Sequence, residues 1–267
     1  MIALTIAGSD SGGCAGIQAD LKTFSALGVF GASAITAITA QNTHGVRAVH
    51  AIPPGIVRAQ IDAVCDDLDV KAIKIGMVAD AAIVDAIADA LEGRDISIVL
   101  DPVMVAGSGD RLLDEGAEAR LIERLLPRAA VVTPNLPEAA VLLGRAPATD
   151  LAGMEAQAAA LAEYGTAVLL KGGHIEALAG TDIYAGPDGT LVRLEAPRVE
   201  TVNTHGTGCT LSSAIAAHIA RGEPLPQAVR LAKSYLTKAL QAADQLRIGS
   251  GRGPVHHFHA LWPVPAD

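Results

Sequence analysis

The chain has 267 residues, enough for one α/β domain, and half of them are apolar, ample for a large core. Its formal net charge is −9 with no basic tract, which excludes a general nucleic-acid or anionic-membrane surface and leaves any anionic ligand to a local device such as backbone amides. Cys14, Cys65 and Cys209 are scattered and odd in number, so neither a disulfide framework nor metal-ligand spacing is present.

In chain order, Ile2 to Ala7 reads as a short apolar strand that stops at the polar loop Gly8-Ser9-Asp10-Ser11-Gly12-Gly13. A helix over about Gly16 to Leu27 carries Ile17, Leu21, Phe24 and Leu27 on one face. The Ile- and Thr-rich stretch Ala34 to Ala40 is a strand ending in Gln41-Asn42-Thr43-His44-Gly45. Pro53-Pro54 opens a helix with Ile56, Ile61, Val64 and Leu68; Val70 to Ile75 is a strand ending at Gly76-Met77. A helix over Ala82 to Leu91 and a strand over Ile96 to Leu100, ending at Asp101-Pro102, complete the first half.

The alternation continues with a helix over Gly116 to Leu126, a strand over Ala130 to Thr133, and a helix from Pro134-Asn135 through Leu143. Another helix near Leu151 to Tyr164 leads to the strand Ala167 to Leu170, which ends at Lys171-Gly172-Gly173-His174. Asp182 to Ala185 and Thr190 to Leu194 form a hairpin across Gly186-Pro187-Asp188-Gly189. A last helix runs from about Pro226 to Leu246. Strands alternating with helices predict a mostly parallel sheet with helices on both faces. No repeat, low-complexity segment or composition break divides residues 1–267, so a single domain is expected. The uncharged stretch from Thr23 to Val46 is too polar for a membrane span. Met1-Ile2-Ala3-Leu4 lacks a secretory signal's charged start, and a cytoplasmic location is expected.

In such sheets ligands bind at the carboxyl ends of strands. Those ends read Ser9-Asp10, Gln41-Asn42, Gly76-Met77, Asp101-Pro102, Thr133-Pro134-Asn135 and Lys171-Gly172-Gly173. The stretch Asn203-Thr204-His205-Gly206-Thr207-Gly208-Cys209-Thr210 enters a helix of small residues. Its free N–H groups and the helix dipole suit an anion such as phosphate. Cys209, in the first turn, reads two ways: a thiol whose pKa the helix N-terminus lowers until it is a usable proton acceptor, or a small buried cysteine. Carboxylates for Mg²⁺, a lysine and an anion-binding turn together suggest phosphoryl transfer. Lys171-Gly172-Gly173 has the wrong order for a Walker A motif, so this is not a P-loop kinase.

Over almost its whole length the chain resembles the hydroxymethylpyrimidine/phosphomethylpyrimidine kinases of thiamine biosynthesis, members of the ribokinase-like superfamily. The resemblance rests on Ala7-Gly8-Ser9-Asp10-Ser11-Gly12-Gly13, on Ala15 to Thr23, and on Thr36-Ala37-Ile38-Thr39-Ala40-Gln41-Asn42-Thr43. It continues in Lys74-Ile75-Gly76-Met77, Asp101-Pro102-Val103-Met104, Thr133 to Ala139, Leu170 to His174, the Asn203–Thr210 stretch and Gly251-Arg252-Gly253-Pro254-Val255. Sugar kinases of the superfamily share the glycine turn but usually carry Asp where Cys209 stands.

The resemblance implies a three-layer α/β/α sandwich and, on ATP and Mg²⁺, two successive phosphorylations of a pyrimidine alcohol. Gly206, Thr207 and Gly208 would form the anion hole and Cys209 the base. Gln41 would bond the aminopyrimidine edge, with Asp20, Met77 and Val103 lining the pocket. Asp101 and Glu138, with Asn135, would arrange Mg²⁺, and Lys171 would neutralise ATP phosphates. A homodimer is also implied. Cys14 stands where the family usually has Gly or Ala, and His256 where it often has Asn; the cluster Val255-His256-His257-Phe258-His259 reads as a surface tail rather than a metal site. Two alternatives stand beside this reading: a pyridoxal kinase of the same superfamily, alone or as a dual activity, and a non-catalytic pyrimidine-binding protein.

Overall fold

A computed structural model describes residues 1–104, 115–173, 178 and 180–262. The first half runs β1 (Ile2–Asp10), α1 (Gly16–Ala26), β2 (Phe30–Asn42), β3 (Gly45–Ala51), α2 (Pro54–Asp67), β4 (Val70–Ile75), α3 (Ala81–Ala90) and β5 (Ser97–Leu100). The second runs α4 (Glu115–Arg124), β6 (Val131–Val132), α5 (Leu136–Leu143), α6 (Leu151–Ala162), β7 (Ala167–Lys171), β8 (Thr181–Ala185), β9 (Leu191–Glu195), α7 (Thr207–Ala220) and α8 (Leu225–Gln241). His174, the last residue of the lysine motif, lies outside the described residues.

The strands form one sheet in the order β3-β2-β1-β4-β5-β6-β7-β8-β9. Its six middle strands, from β2 to β7, are parallel; β3 and β8 run against them on either side, and β9, antiparallel to β8, turns back to their direction. Strand side chains alternate between two helix layers, as a period of two requires. Leu4, Ile6, Ile73, Ile75, Leu100, Val132, Val168 and Leu170 pack against α2 to α6. Their neighbours Ala3, Ala72, Val99, Val131, Ala167 and Leu169 pack against α1, α7 and α8. The sandwich expected from the sequence is therefore present.

The second face is lined by small side chains, and α7 answers with Ala214, Ala216 and Ala217, all fully buried. Short side chains on both surfaces let α7 lie close to β1, β4 and β5. Its N-terminus thereby sits at the carboxyl ends of the strands. After β1 the chain steps to β2 on one side, and later to β4 on the other. This reversal opens a crevice at the ends of β1 and β4.

Three expectations change. β3 was not foreseen, because it is an edge strand with mostly exposed residues and no core face to impose a pattern. β1 and β2 run further into the polar loops, since pairing continues through Ser9–Ile38 and Asp10–Thr39 after a register shift. Residues 255–257 are not a surface tail. Val255, His256 and His257 are buried. The His256 N–H bonds the Ala239 carbonyl in α8 (3.0 Å), the Tyr235 hydroxyl donates to the His257 carbonyl (2.7 Å), and His257 Nε2 meets Thr210 Oγ1 in α7 (3.1 Å). Among the described residues no helix is long and apolar enough to cross a membrane.

Candidate active site

Above the strand ends lies a cavity of about 540 Å³. Gly206, Thr207, Gly208, Cys209, Lys171, Gln41, Met77, Val103, Asn135, Asp101 and Glu138 all line it. Asp20 does not. It is fully buried in α1, below the floor, where its carboxylate accepts from Thr5 Oγ1 (2.6 Å), Ser213 Oγ (2.6 Å) and Lys74 Nζ (2.9 and 3.0 Å). The pocket-lining role expected of Asp20 is replaced by that of counter-ion to Lys74, which itself reaches the cavity.

The glycine turn begins at Gly206, with φ of 76°, in the left-handed region that favours glycine. A Cβ there would run into the Cys14 carbonyl oxygen, so the turn and the β1–α1 loop can approach only through this residue. That loop is held by Asp10, which accepts from the N–H groups of Gly12 (2.8 Å), Cys14 (2.9 Å) and Ala15 (2.8 Å). In α7, Thr210 is bonded back to the Gly206 carbonyl at 2.8 Å. Ahead of it, the Thr207 N–H reaches the Thr204 carbonyl at 3.4 Å, and the N–H groups of Gly208 and Cys209 are the ones offered to an anion. A Cβ at Gly208 would stand 3.4 Å from Lys171 Nζ and 3.7 Å from Asp101 Oδ2, so the turn, the lysine and the carboxylate share one small volume.

Lys171 ends β7 and donates to Asp101 Oδ1 at 3.1 Å. Burial works against its charge, but Asp101 and Glu138 outweigh that and keep the ammonium protonated. Asp101, at the end of β5, also accepts from Thr133 Oγ1 (3.1 Å) and Ser212 Oγ (3.2 Å). Burial would raise its pKa, yet Lys171 and Lys74 hold the carboxyl below its usual range. Asn135 and Glu138 form the capping box of α5: Asn135 Oδ1 accepts from the Glu138 N–H (2.9 Å) and Glu138 Oε2 from the Asn135 N–H (2.8 Å). Burial, reinforced by Asp101, pushes the Glu138 carboxyl up to about 7, against the pull of Lys171.

The lowered thiol pKa expected from a helix N-terminus is not found at Cys209. Burial pushes it up to about 11, with Asp20 and Asp101 adding to the rise; Lys74 and the Gly16 backbone N–H pull the other way. Desolvation beside two carboxylates outweighs the helix end. Gln41, one residue before the end of β2, has its Nε2 3.0 Å from His205 Nε2 and its Oε1 3.0 Å from Thr39 Oγ1. Cys14 is buried, its thiol 3.6 Å from the Gly12 carbonyl.

Sequence reasoning missed Lys74, His205 and Asp10 as site builders. One signal was present: Lys74 interrupts the apolar strand Val70–Ile75, and a lysine buried in mid-strand requires a carboxylate partner. His205 gave no such signal, because its contacts come from distant segments; Asp10 was read only as a polar strand-end residue, although the N–H groups it holds lie within five positions.

Residues 10–256 match the family model described as phosphomethylpyrimidine kinase. The chain is 63% identical over 262 residues to a hydroxymethylpyrimidine/phosphomethylpyrimidine kinase of Rhizobium meliloti, covering 98% of each. Its fold is similar to that of a phosphomethylpyrimidine kinase from Clostridium difficile, with a TM-score of 0.80 and 42% identity over 90% of this chain and 99% of that one. A pyridoxal kinase of Bacillus subtilis, solved as an ADP complex, is also similar, with a TM-score of 0.89 and 34% identity over 97% and 98% of the two chains. With the glycine turn, Lys171 and Asp101 gathered over one sheet edge, the chain belongs to the phosphomethylpyrimidine kinase family and is a phosphotransferase of ribokinase-like fold.

Proposed function

We propose that this kinase transfers the γ-phosphoryl group of ATP to the hydroxymethyl group of 4-amino-5-hydroxymethyl-2-methylpyrimidine, then adds a second phosphoryl group to the monophosphate, in thiamine biosynthesis. The observation that carries the reading is that one cavity gathers a ring-binding set (Gln41, Met77, Val103), a phosphoryl-binding set (Gly206–Gly208, Lys171, Asp101) and a thiol, Cys209.

The chain's own groups divide the work. Gln41 bonds the ring edge and orients the acceptor hydroxyl. The amides of the glycine turn hold the transferred phosphoryl group, and Lys171 offsets charge on its oxygens. Cys209 takes the acceptor proton. It does so as the thiolate; with a pKa of about 11 only about one thiol in 10⁴ is ionised at pH 7, so the scarce thiolate form carries the step. The monophosphate is an anion with no proton to remove, and Cys209 matters less in the second transfer.

Mg²⁺ suits the donors present. Asp101 and Glu138 offer hard carboxylate oxygens and Asn135 an amide oxygen with a second lone pair. Among the described residues no group of three or more His, Cys, Asp or Glu side chains forms a closed metal site. Mg²⁺ typically takes one or two carboxylates and completes its shell with substrate phosphates and water. When bound it would neutralise charge on the transferring oxygens. A cytoplasmic, single-domain homodimer completes the proposal.

The test is steady-state ADP release with the pyrimidine alcohol, its monophosphate and pyridoxal. Release with the first two is expected. Release with pyridoxal alone would overturn the assignment and favour the second acceptor.

A further inference from the structure

We propose that His205 is a specificity-determining residue: it fixes which way round the Gln41 amide presents its donor and its acceptor to the ring. The inference rests on the reading of Gln41 as the residue facing the acceptor ring.

An amide nitrogen only donates. With Gln41 Nε2 3.0 Å from His205 Nε2, the imidazole nitrogen must accept, so the ring is neutral and its proton sits on Nδ1. The Arg252 backbone, which also hydrogen-bonds the ring, is then left for Nδ1. On the other side, Gln41 Oε1 takes the Thr39 hydroxyl proton at 3.0 Å, although the same hydroxyl lies 3.1 Å from the Ser9 carbonyl.

A second wiring is complete when His205 is protonated on both nitrogens: Nδ1 keeps its bond to the Arg252 backbone, and Nε2 donates to the amide oxygen. The amide then turns over and donates to Thr39 Oγ1, and the single Thr39 proton goes to the Ser9 carbonyl. Both wirings satisfy the same groups, so the proton at His205 Nε2 decides between them. Each leaves one amide N–H and one oxygen lone pair for a ligand, in opposite order. A ring edge with an amino donor beside an aza acceptor matches one order only.

The charged groups facing His205 are Asp10 at the end of β1 and Arg252 in the loop before Val255. Burial holds the imidazolium down and Arg252 adds to this, while Asp10 opposes it; the neutral ring therefore prevails at neutral pH.

The test compares parent, Gln41→Leu and His205→Phe, measuring kcat and KM for the pyrimidine alcohol and for pyridoxal across pH. His205→Phe is expected to raise KM for the pyrimidine about tenfold, with a smaller change in kcat, and to lower the pyrimidine-to-pyridoxal preference by a similar factor. The parent KM should rise at acidic pH, and this rise should vanish in His205→Phe. The ¹⁵N spectrum of the parent should show the Nδ1–H tautomer at neutral pH; an Nε2–H tautomer overturns the proposal whether or not the variant folds. An unchanged preference and pH profile in His205→Phe, with Gln41→Leu impaired, overturns the role of His205 alone. If Gln41→Leu is silent as well, the acceptor-pocket reading falls with it.

Discussion

Two lysine–aspartate pairs lie under the same strand ends and are built in opposite ways. Lys74–Asp20 is sealed, with both side chains 0% exposed, and Asp20 is saturated by Lys74, Thr5 and Ser213. Lys171–Asp101 is open: Lys171 is 17% exposed and gives Asp101 one hydrogen bond at 3.1 Å, at the cavity wall. A pair this saturated shapes the fold and the field of the cavity that its lysine borders. An open pair, whose ammonium has three protons to offer, can exchange partners with a phosphate. Cys209 feels both, since Lys74 favours its ionisation while Asp20 and Asp101 oppose it.

Breaking the sealed pair should have the largest effect. Lys74→Met leaves Asp20 charged, buried and uncompensated, which costs about 3–5 kcal/mol of stability. Urea denaturation measures this, and Lys74→Met combined with Asp20→Leu should recover part of the loss. A single variant that unfolds like the parent would mean the pair contributes nothing. Cys209→Ala, at the junction of the two pairs, should slow transfer to the alcohol by roughly 10²–10⁴-fold and transfer to the monophosphate far less. Gly208→Val should damage both, because its branched side chain begins 3.4 Å from Lys171. Single-turnover rates for each acceptor separate these cases. The first transfer should also accelerate with alkaline pH, as the thiolate fraction grows, and a flat profile would remove Cys209 as the base.

Breaking the open pair should act on rate more than on folding. Lys171→Met should cost about 10²–10³-fold in both transfers and move the urea midpoint less than Lys74→Met does. Equal losses of stability would erase the distinction between the pairs. The smallest effect belongs to Glu138. Its carboxyl is raised in the fold from 4.5 to about 7, so the native state binds the extra proton and stability falls as pH rises between those values. Glu138→Gln should remove this fall, which has a slope of at most about 1.4 kcal/mol per pH unit. Parallel pH–stability curves for the two proteins would contradict the raised carboxyl. The same variant should raise the Mg²⁺ requirement more than it weakens pyrimidine binding.

What was legible in the sequence follows the range of the forces involved. Period and punctuation are local, so the alternating strands and helices, the strand-end residues and the glycine turn could be read directly. β3 could not, because an edge ribbon without a buried face carries no pattern. Asp20 was legible as a polar residue in a motif, but its side is set by Lys74, which stands 54 positions later. The helix end argued for a reactive thiol at Cys209, whereas the shift is reversed by burial, which tertiary packing sets, with carboxylates from α1 and the end of β5 adding to it. The histidine segment resembled a tail because only tertiary packing on α7 and α8 buries it.

The strap from Gly253 to His257 has a consequence for the order in which the protein becomes competent. His205 donates its N–H to the Gly253 carbonyl (3.0 Å), and Thr210 meets His257, 47 positions further on. The anion turn is thus braced by chain that leaves the ribosome after α8. A nascent chain can lay down its parallel strands and both helix layers while the mouth of α7 still lacks this brace. Competence to hold phosphate then arrives late in synthesis, and a fragment stopped before Gly253 would keep most of the scaffold without the support of its turn.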